Sequence, residues 1–221
     1  MFDHGTLNEA GPLGTVNRAP RSTKQMAGMI NSDEPSIHDA VSAIEEADKT
    51  VAQEAGRYRH HPVVRSLGAM SEIADHLPLS LVCGGVMVAG LLSDRPELAR
   101  TGARMMAAHV LANSVKRAIK NRFRRTRPSV MLEGDDYVCE PGETEGGHDT
   151  SFPSGHTAGA VAVAAILASD IPKAAVPAVL TAALIAGVQV PRAKHYPIDI
   201  AAGTLLGLSA AMLVKRLSQA Q

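Results

Sequence analysis

Tryptophan is absent from this 221-residue chain, and three tyrosines and three phenylalanines make up its whole aromatic content. Too few rings are present to build an aromatic belt at a membrane interface. Cysteine is nearly absent as well. Cys83 lies in an apolar run and Cys139 in a polar stretch, which excludes a disulfide framework. Net charge is missing altogether: 22 basic residues balance 22 acidic ones, so bulk charge does not point to nucleic acid. No apolar core follows Met1, so a soluble product secreted through a cleaved leader is not expected.

What is present is unevenly placed. Lys116, Arg117, Lys120, Arg122, Arg124, Arg125 and Arg127 crowd into one short stretch, and an acidic polar loop from Glu133 to Asp149 follows. Such a basic run is ordinarily a solvated face or a membrane-surface patch.

Three regions are distinguishable. Residues 1–35 mix Gly, Pro, Asn, Ser and scattered charge without periodicity, and read as a flexible tail. Residues 36–69 form an amphipathic helical segment. Ile37, Val41, Ile44, Val51 and Ala55 recur at helical spacing, Ser36 and Asp39 suit an N-cap pair, and Glu45 and Lys49 suit an i,i+4 pair. Residues 70–221 hold five apolar blocks: 77–92, 105–115, 157–168, 174–190 and 200–214. The expected fold is all-α, a helical bundle of about five apolar helices plus the N-terminal amphipathic helix. Blocks so uniformly apolar leave no wet face, which favours transmembrane helices over a soluble bundle. Several are nevertheless shorter than the roughly 20 residues of a full span.

Chemistry is concentrated in three runs. In the first, Lys120 to Pro128, a helix continued past Lys120 would place Lys120, Arg124 and Arg127 near one face, with Arg127 able to fork onto two phosphate oxygens. In the second, Pro153-Ser154-Gly155-His156 opens an apolar block. Ser154 suits an N-cap, Gly155 lets a ligand approach the backbone, and a helix N-terminus attracts anions. His156 stands where it can give a proton to a leaving oxygen. In the third, His195 and Asp199 lie four residues apart at a helix start, where a carboxylate can fix the imidazole tautomer and leave the other nitrogen nucleophilic. Arg192 is three residues before His195. Taken singly, each run has an ordinary structural explanation: a basic helix end, a capped helix start, a His–Asp pair. His148 and Asp149 lack further ligands at metal-binding spacing, so no metal and no cofactor is expected.

Together the runs read K-x6-RP, PSGH and R-x2-H-x3-D. This resembles the signature of the type 2 phosphatidic acid phosphatase superfamily, shared with bacterial acid phosphatases and vanadium haloperoxidases, over roughly residues 70–214. The arginine that the family carries six residues before the histidine is Gln189 here. The resemblance implies a metal-independent phosphatase acting through a phosphohistidine. It makes His195 the nucleophile, Asp199 its partner and His156 the acid and then the base. Lys120, Arg127, Ser154, Gly155 and Arg192 would hold the phosphoryl oxygens. The implied partners are a lipid phosphate and the bilayer, with an integral, bacterial-type inner-membrane location. Substrates would be a phosphatidate, a phosphatidylglycerophosphate or a prenyl (di)phosphate. A vanadium-dependent haloperoxidase, a soluble acid phosphatase and an inactive lipid-binding scaffold of the same fold remain open at this stage, as does the oligomeric state.

Overall fold

The computed structural model describes residues 36–142 and 150–219. The expectations for the tail 1–35, for most of the end of the acidic loop and for His148–Asp149 fall outside these residues. The chain divides into Met1–Val41, described only from Ser36, and Ser42–Gln221.

Helix α1, Ile37–Gly56, begins as its sequence suggests. The Asp39 backbone N–H donates to Ser36 Oγ at 3.2 Å and the Ser36 N–H donates to Asp39 Oδ2 at 3.1 Å, a reciprocal cap. The i,i+4 pair does not form: Lys49 binds Glu46 instead, at 2.7 Å. The buried side of α1 is also not its apolar stripe. Ile44 and Val51 are exposed, whereas Asp48, Ala52 and Gly56 are buried. Small residues let the helix approach closely enough for a carboxylate to be carried inward.

Helix α2 spans Pro62–Ser71, and a one-turn 3-10 helix, Glu72–Ala74, leads into α3, His76–Leu92. Then follow α4 (Pro96–Lys120), strand β1 (Phe123–Arg125), α5 (Pro128–Leu132) and strand β2 (Cys139–Pro141). Next come α6 (Gly155–Asp170), α7 (Ala175–Val188) and α8 (Pro197–Gln219). The five apolar blocks correspond to α3, α4, α6, α7 and α8, the fourth running past both ends of α7. The small antiparallel sheet, with Arg124 opposite Glu140, interrupts the otherwise helical chain. It also ends the first motif's helix at Lys120, so Arg124 and Arg127 are not on that helix, contrary to expectation.

Helix α4 is the axis of the bundle and packs on α3, α6 and α8. Leu79 and Cys83 of α3, Met105 and Ala108 of α4, Ala158 and Ile166 of α6, and Ala210 of α8 share one core. Alanine at these seams brings backbones together. Glycine goes further: a Cβ on Gly102 would lie 2.4 Å from the Met87 backbone N. A Cβ on Gly203 would lie 2.6 Å from Ser154 O, and one on Gly207 equally close to Ala158 O. The last two contacts advance together along both helices, so α6 and α8 run parallel. Both therefore start at the same end of the bundle, the end where α4 finishes, and that end holds all three motifs.

The expectation of about five transmembrane helices is not met by length and composition. Among the described residues, α8 alone is long and apolar enough to span. The segment Pro62–Ala74 with α3 qualifies only as a pair bent by 59°. Helices α6 and α7, of 16 and 14 residues, fall short of the ~20 needed. Helix α4 is long enough but carries charges along its length, including Glu97, Arg100, Arg104, Lys116 and Lys120.

Candidate active site

At the shared end of α4, α6 and α8 lies a cavity of about 400 Å³. Of the residues singled out from sequence, Lys120, Arg127, Gly155, His156 and His195 line it. Ser154, Asp199 and Arg192 do not. Ser154 is buried and caps α6; its Oγ accepts from the Thr157 hydroxyl at 2.9 Å, and its N–H donates to Asp199 O at 3.1 Å. That backbone bond ties the start of α6 to the start of α8.

His195 sits in the turn before α8, almost fully buried. Its Nδ1 lies 2.8 Å from the Ser151 carbonyl oxygen and 3.7 Å from Asp199 Oδ2. A carbonyl can only accept, so Nδ1 carries the proton and Nε2 holds the lone pair. The nearer tautomer-fixing group is thus a backbone carbonyl, and Asp199 stands behind it as a neighbouring charge. Burial pulls the His195 imidazole down to about 4, against the upward pull of Asp199. At neutral pH the ring is uncharged.

His156, in the first turn of α6, has Nε2 3.1 Å from Asp75 Oδ1 and 3.4 Å from Glu72 Oε2. Sequence reasoning passed over both carboxylates, because they sit in and just after the short 3-10 turn between two helices, with no motif of their own. Burial pushes Asp75 up, and the Glu72 carboxylate beside it adds to that. Burial would raise Glu72 too, but hydrogen bonds from Arg192 and Lys194 outweigh it and hold Glu72 well below the usual carboxylate range. Glu72, Asp75 and His156 bring ligand atoms within 4.8 Å of one another, a spacing that suits one ion. Glu72, however, is already matched by Arg192 and Lys194.

Arg192 is therefore engaged elsewhere: its guanidinium binds Glu72 and donates to Ser71 Oγ at 2.8 Å. Gln189, fully buried, donates to the same Ser71 Oγ at 3.2 Å. The cavity's additional cations are Lys116, Arg117 and Lys194. Lys116 Nζ donates to Asn113 Oδ1 at 2.8 Å, and Asn113 Nδ2 lies 3.2 Å from a ring nitrogen of buried His109. A signal for this row was present in the sequence: His109, Asn113, Lys116 and Lys120 recur at spacings of four, three and four along one face of α4. Lys120 itself is anchored by a 2.5 Å bond from Nζ to the Thr150 carbonyl.

Behind His195 lies a second layer that the sequence did not reveal. Arg125 of β1 donates to Asp199 Oδ1 at 2.7 Å and to Asp48 Oδ2 of α1 at 2.6 Å, all three side chains being buried.

No curated protein matches this chain in sequence. A solved structure, described as the first transmembrane PAP2-type phosphatidylglycerolphosphate phosphatase, from Bacillus subtilis, has a similar fold. The TM-score is 0.54 at 20% identity, over 89% of this chain and 92% of that one. The family model described as the PAP2 superfamily matches residues 101–221 and takes in all three motifs. By that match the chain belongs to the PAP2 superfamily of phosphatases.

Proposed function

We propose that this protein is a metal-independent lipid phosphate phosphatase that works through a phosphohistidine. The observation that carries this reading is His195. Its Nδ1 proton is committed to the Ser151 carbonyl, and its ring lines a cavity rich in cations. In the first step Nε2 attacks phosphorus while the bond to the leaving oxygen breaks, and that oxygen takes a proton from His156. In the second step His156 takes a proton from water. The resulting hydroxide attacks phosphorus, inorganic phosphate departs, and Nε2 regains its lone pair. Lys120 and Arg127 hold the phosphoryl oxygens, and the backbone at Gly155 opens α6 toward them. Lys116 supplies the third cation in place of Arg192. It lines the cavity beside Gly155, where a Cβ would meet Lys116 Nζ at 3.0 Å. Fixed cations supply the charge that a metal ion would otherwise bring.

The outer surface supports a lipid substrate. Leu81, Leu91, Leu180, Leu184, Leu205 and Leu217 are all more than half exposed on α3, α7 and α8. Apolar exposure on this scale marks a surface that meets lipid or another apolar partner. An apolar groove of about 310 Å³ runs between α3, α6 and α7, with Ile73 on its wall. The next residue, Ala74, lines the catalytic cavity. A phosphate head in the cavity thus continues into a tail in the groove. The substrate is a phosphatidate, phosphatidylglycerophosphate or prenyl (di)phosphate, and the enzyme is an integral membrane protein.

The test is phosphate release by detergent-purified protein from long-chain lipid phosphates, short-chain analogues and a tail-less ester. The expected order of kcat/KM follows tail length, and His195→Ala abolishes turnover. Near-wild-type activity of His195→Ala would end the phosphohistidine reading. Equal use of the tail-less ester would end the lipid reading.

A further inference from the structure

The family match begins at residue 101, and helix α1 lies wholly before it. That helix nevertheless delivers a carboxylate to the catalytic end of the bundle. Asp48 is 5% exposed and Arg125 4% exposed, values that solvated surface charges do not reach.

Arg125 is tied to both groups that neighbour His195 Nδ1. The side chain of Arg125 reaches Asp199 Oδ1, while its backbone carbonyl accepts from the Ser151 N–H at 2.9 Å. Ser151 is the residue whose own carbonyl accepts the hydrogen bond from the His195 Nδ1–H. Asp48 holds Arg125 through Oδ2, and through Oδ1 it accepts from the Ile198 N–H at 2.9 Å, in the first turn of α8. Arg125 is confined further by the Tyr137 hydroxyl, 3.1 Å from Nε, and by the Tyr196 ring, 4.1 Å from its guanidinium carbon. Three buried charges are expensive to desolvate, and an apolar filling would usually stabilise a fold at least as well.

Resting on the reading of His195 as nucleophile, we propose that Arg125, clamped by Asp48 of the N-terminal helix, is a positioning residue for the His195–Asp199 pair. The clamp fixes Asp199 against the ring and sets how much of its negative charge His195 feels. Lys120 and Arg127 face the ring from the cavity side, where His156, Lys116 and Lys194 also lie, and none of these belongs to the clamp.

The test uses the full chain in detergent with two variants of similar shape, Asp48→Asn and the doubly neutral Asp48→Asn/Arg125→Gln. Two readouts are taken: kcat and KM on a short-chain lipid phosphate, and the pH dependence of His195 carbethoxylation by diethyl pyrocarbonate. The reagent attacks neutral imidazole, so the second readout does not need turnover. Asp48→Asn removes a distant negative charge, and Arg125 then neutralises Asp199 more fully. Its expected effect is a kcat lower by about tenfold at unchanged KM, with the His195 titration shifted down by about half a pH unit. The double variant removes the nearer positive charge as well and is expected to shift the titration up. Unmoved titrations in both variants would overturn the proposal, as would a rise in KM alone. His195→Ala, run alongside, identifies the His195 signal. Full activity in that variant would fault the nucleophile assignment, while the titration shifts would still report on the clamp.

Discussion

Arg192 is bound to Glu72, and the other oxygen of that carboxylate lies 3.4 Å from His156 Nε2. The arginine that sequence reasoning placed on the phosphate thus supports the frame around His156, the proposed general acid. Arg192→Met is expected to lower kcat by less than about tenfold, because no direct phosphate contact is lost. Steady-state kinetics on one lipid phosphate decides the point, and a loss beyond 100-fold would return Arg192 to the phosphate.

Lys116 carries the opposite expectation. It lines the cavity, and its ammonium is oriented by Asn113, a neutral partner. Removing one preorganised cation from a phosphoryl-transfer site costs about 100-fold in kcat/KM. Lys116→Met should show that loss, and Lys116→Arg should recover part of it. Asn113→Ala, which frees the ammonium to wander, should fall between wild type and Lys116→Met.

The contrast shows where sequence reasoning has reach. Short motifs meet in space: Lys120, Arg127, Gly155, His156 and His195 line one cavity because α4 ends where α6 and α8 begin. Local capping was equally readable, as at Ser36 and Ser154. Longer-range pairings were not. Glu72, Asp48 and Arg125 are bound to residues 120, 77 and 74 positions away, and nothing in their neighbours' spacing announces it. The break after Lys120 was missed for a related reason. A two-stranded pairing with Cys139–Pro141 overrides the helical propensity of a basic run, and its partner lies beyond the turn. Composition alone did not separate a span from a core helix. The alanine- and glycine-rich block of α6 has half of its helix buried against neighbours, and at 16 residues it is short for a span.

His195 ties stability to pH. Folded, its imidazole titrates near 4, below the value of about 6.5 in an unfolded chain. Between those limits the unfolded chain binds the extra proton, so stability rises with pH there. The His195 contribution is complete above about pH 6.5 and is lost as pH falls toward 4, by roughly 3 kcal/mol at most. His195→Gln should flatten that part of the profile, measured as denaturation midpoint against pH in a fixed detergent. The folded ring stays neutral until pH approaches 4, so a loss of activity above that pH should follow unfolding and not protonation of His195 in the native state.

Chelation provides a check on the role of the cations. If Lys116, Lys120 and Arg127 carry the phosphoryl charge, EDTA should leave turnover unchanged. A loss restored by a divalent ion would shift attention to Glu72, Asp75 and His156, whose ligand atoms already converge. Glu72→Gln would then abolish the metal response, whereas on the metal-free reading it loosens Arg192 and Lys194 and lowers kcat only modestly.

Helix spacing sets the distance between the two histidines, and Gly203 sets the spacing. A methyl there would lie 2.6 Å from the Ser154 carbonyl, on backbone that cannot swing aside. The same pair of helix starts is joined by the Ser154 N–H bond to Asp199 O. Gly203→Ala must therefore push α6 from α8 at the point where His156 and His195 face one cavity. Overpacking of this kind destabilises by about 1–3 kcal/mol. A misplacement approaching 1 Å can lower kcat by about 100-fold. Leu205→Ala, two residues on and 67% exposed, is the matched control and should leave both thermal midpoint and kcat close to wild type. If Gly203→Ala lost stability but kept kcat, the helix seam would be a packing feature alone, and the alignment of the two histidines would have to be set by the 189–196 turn instead.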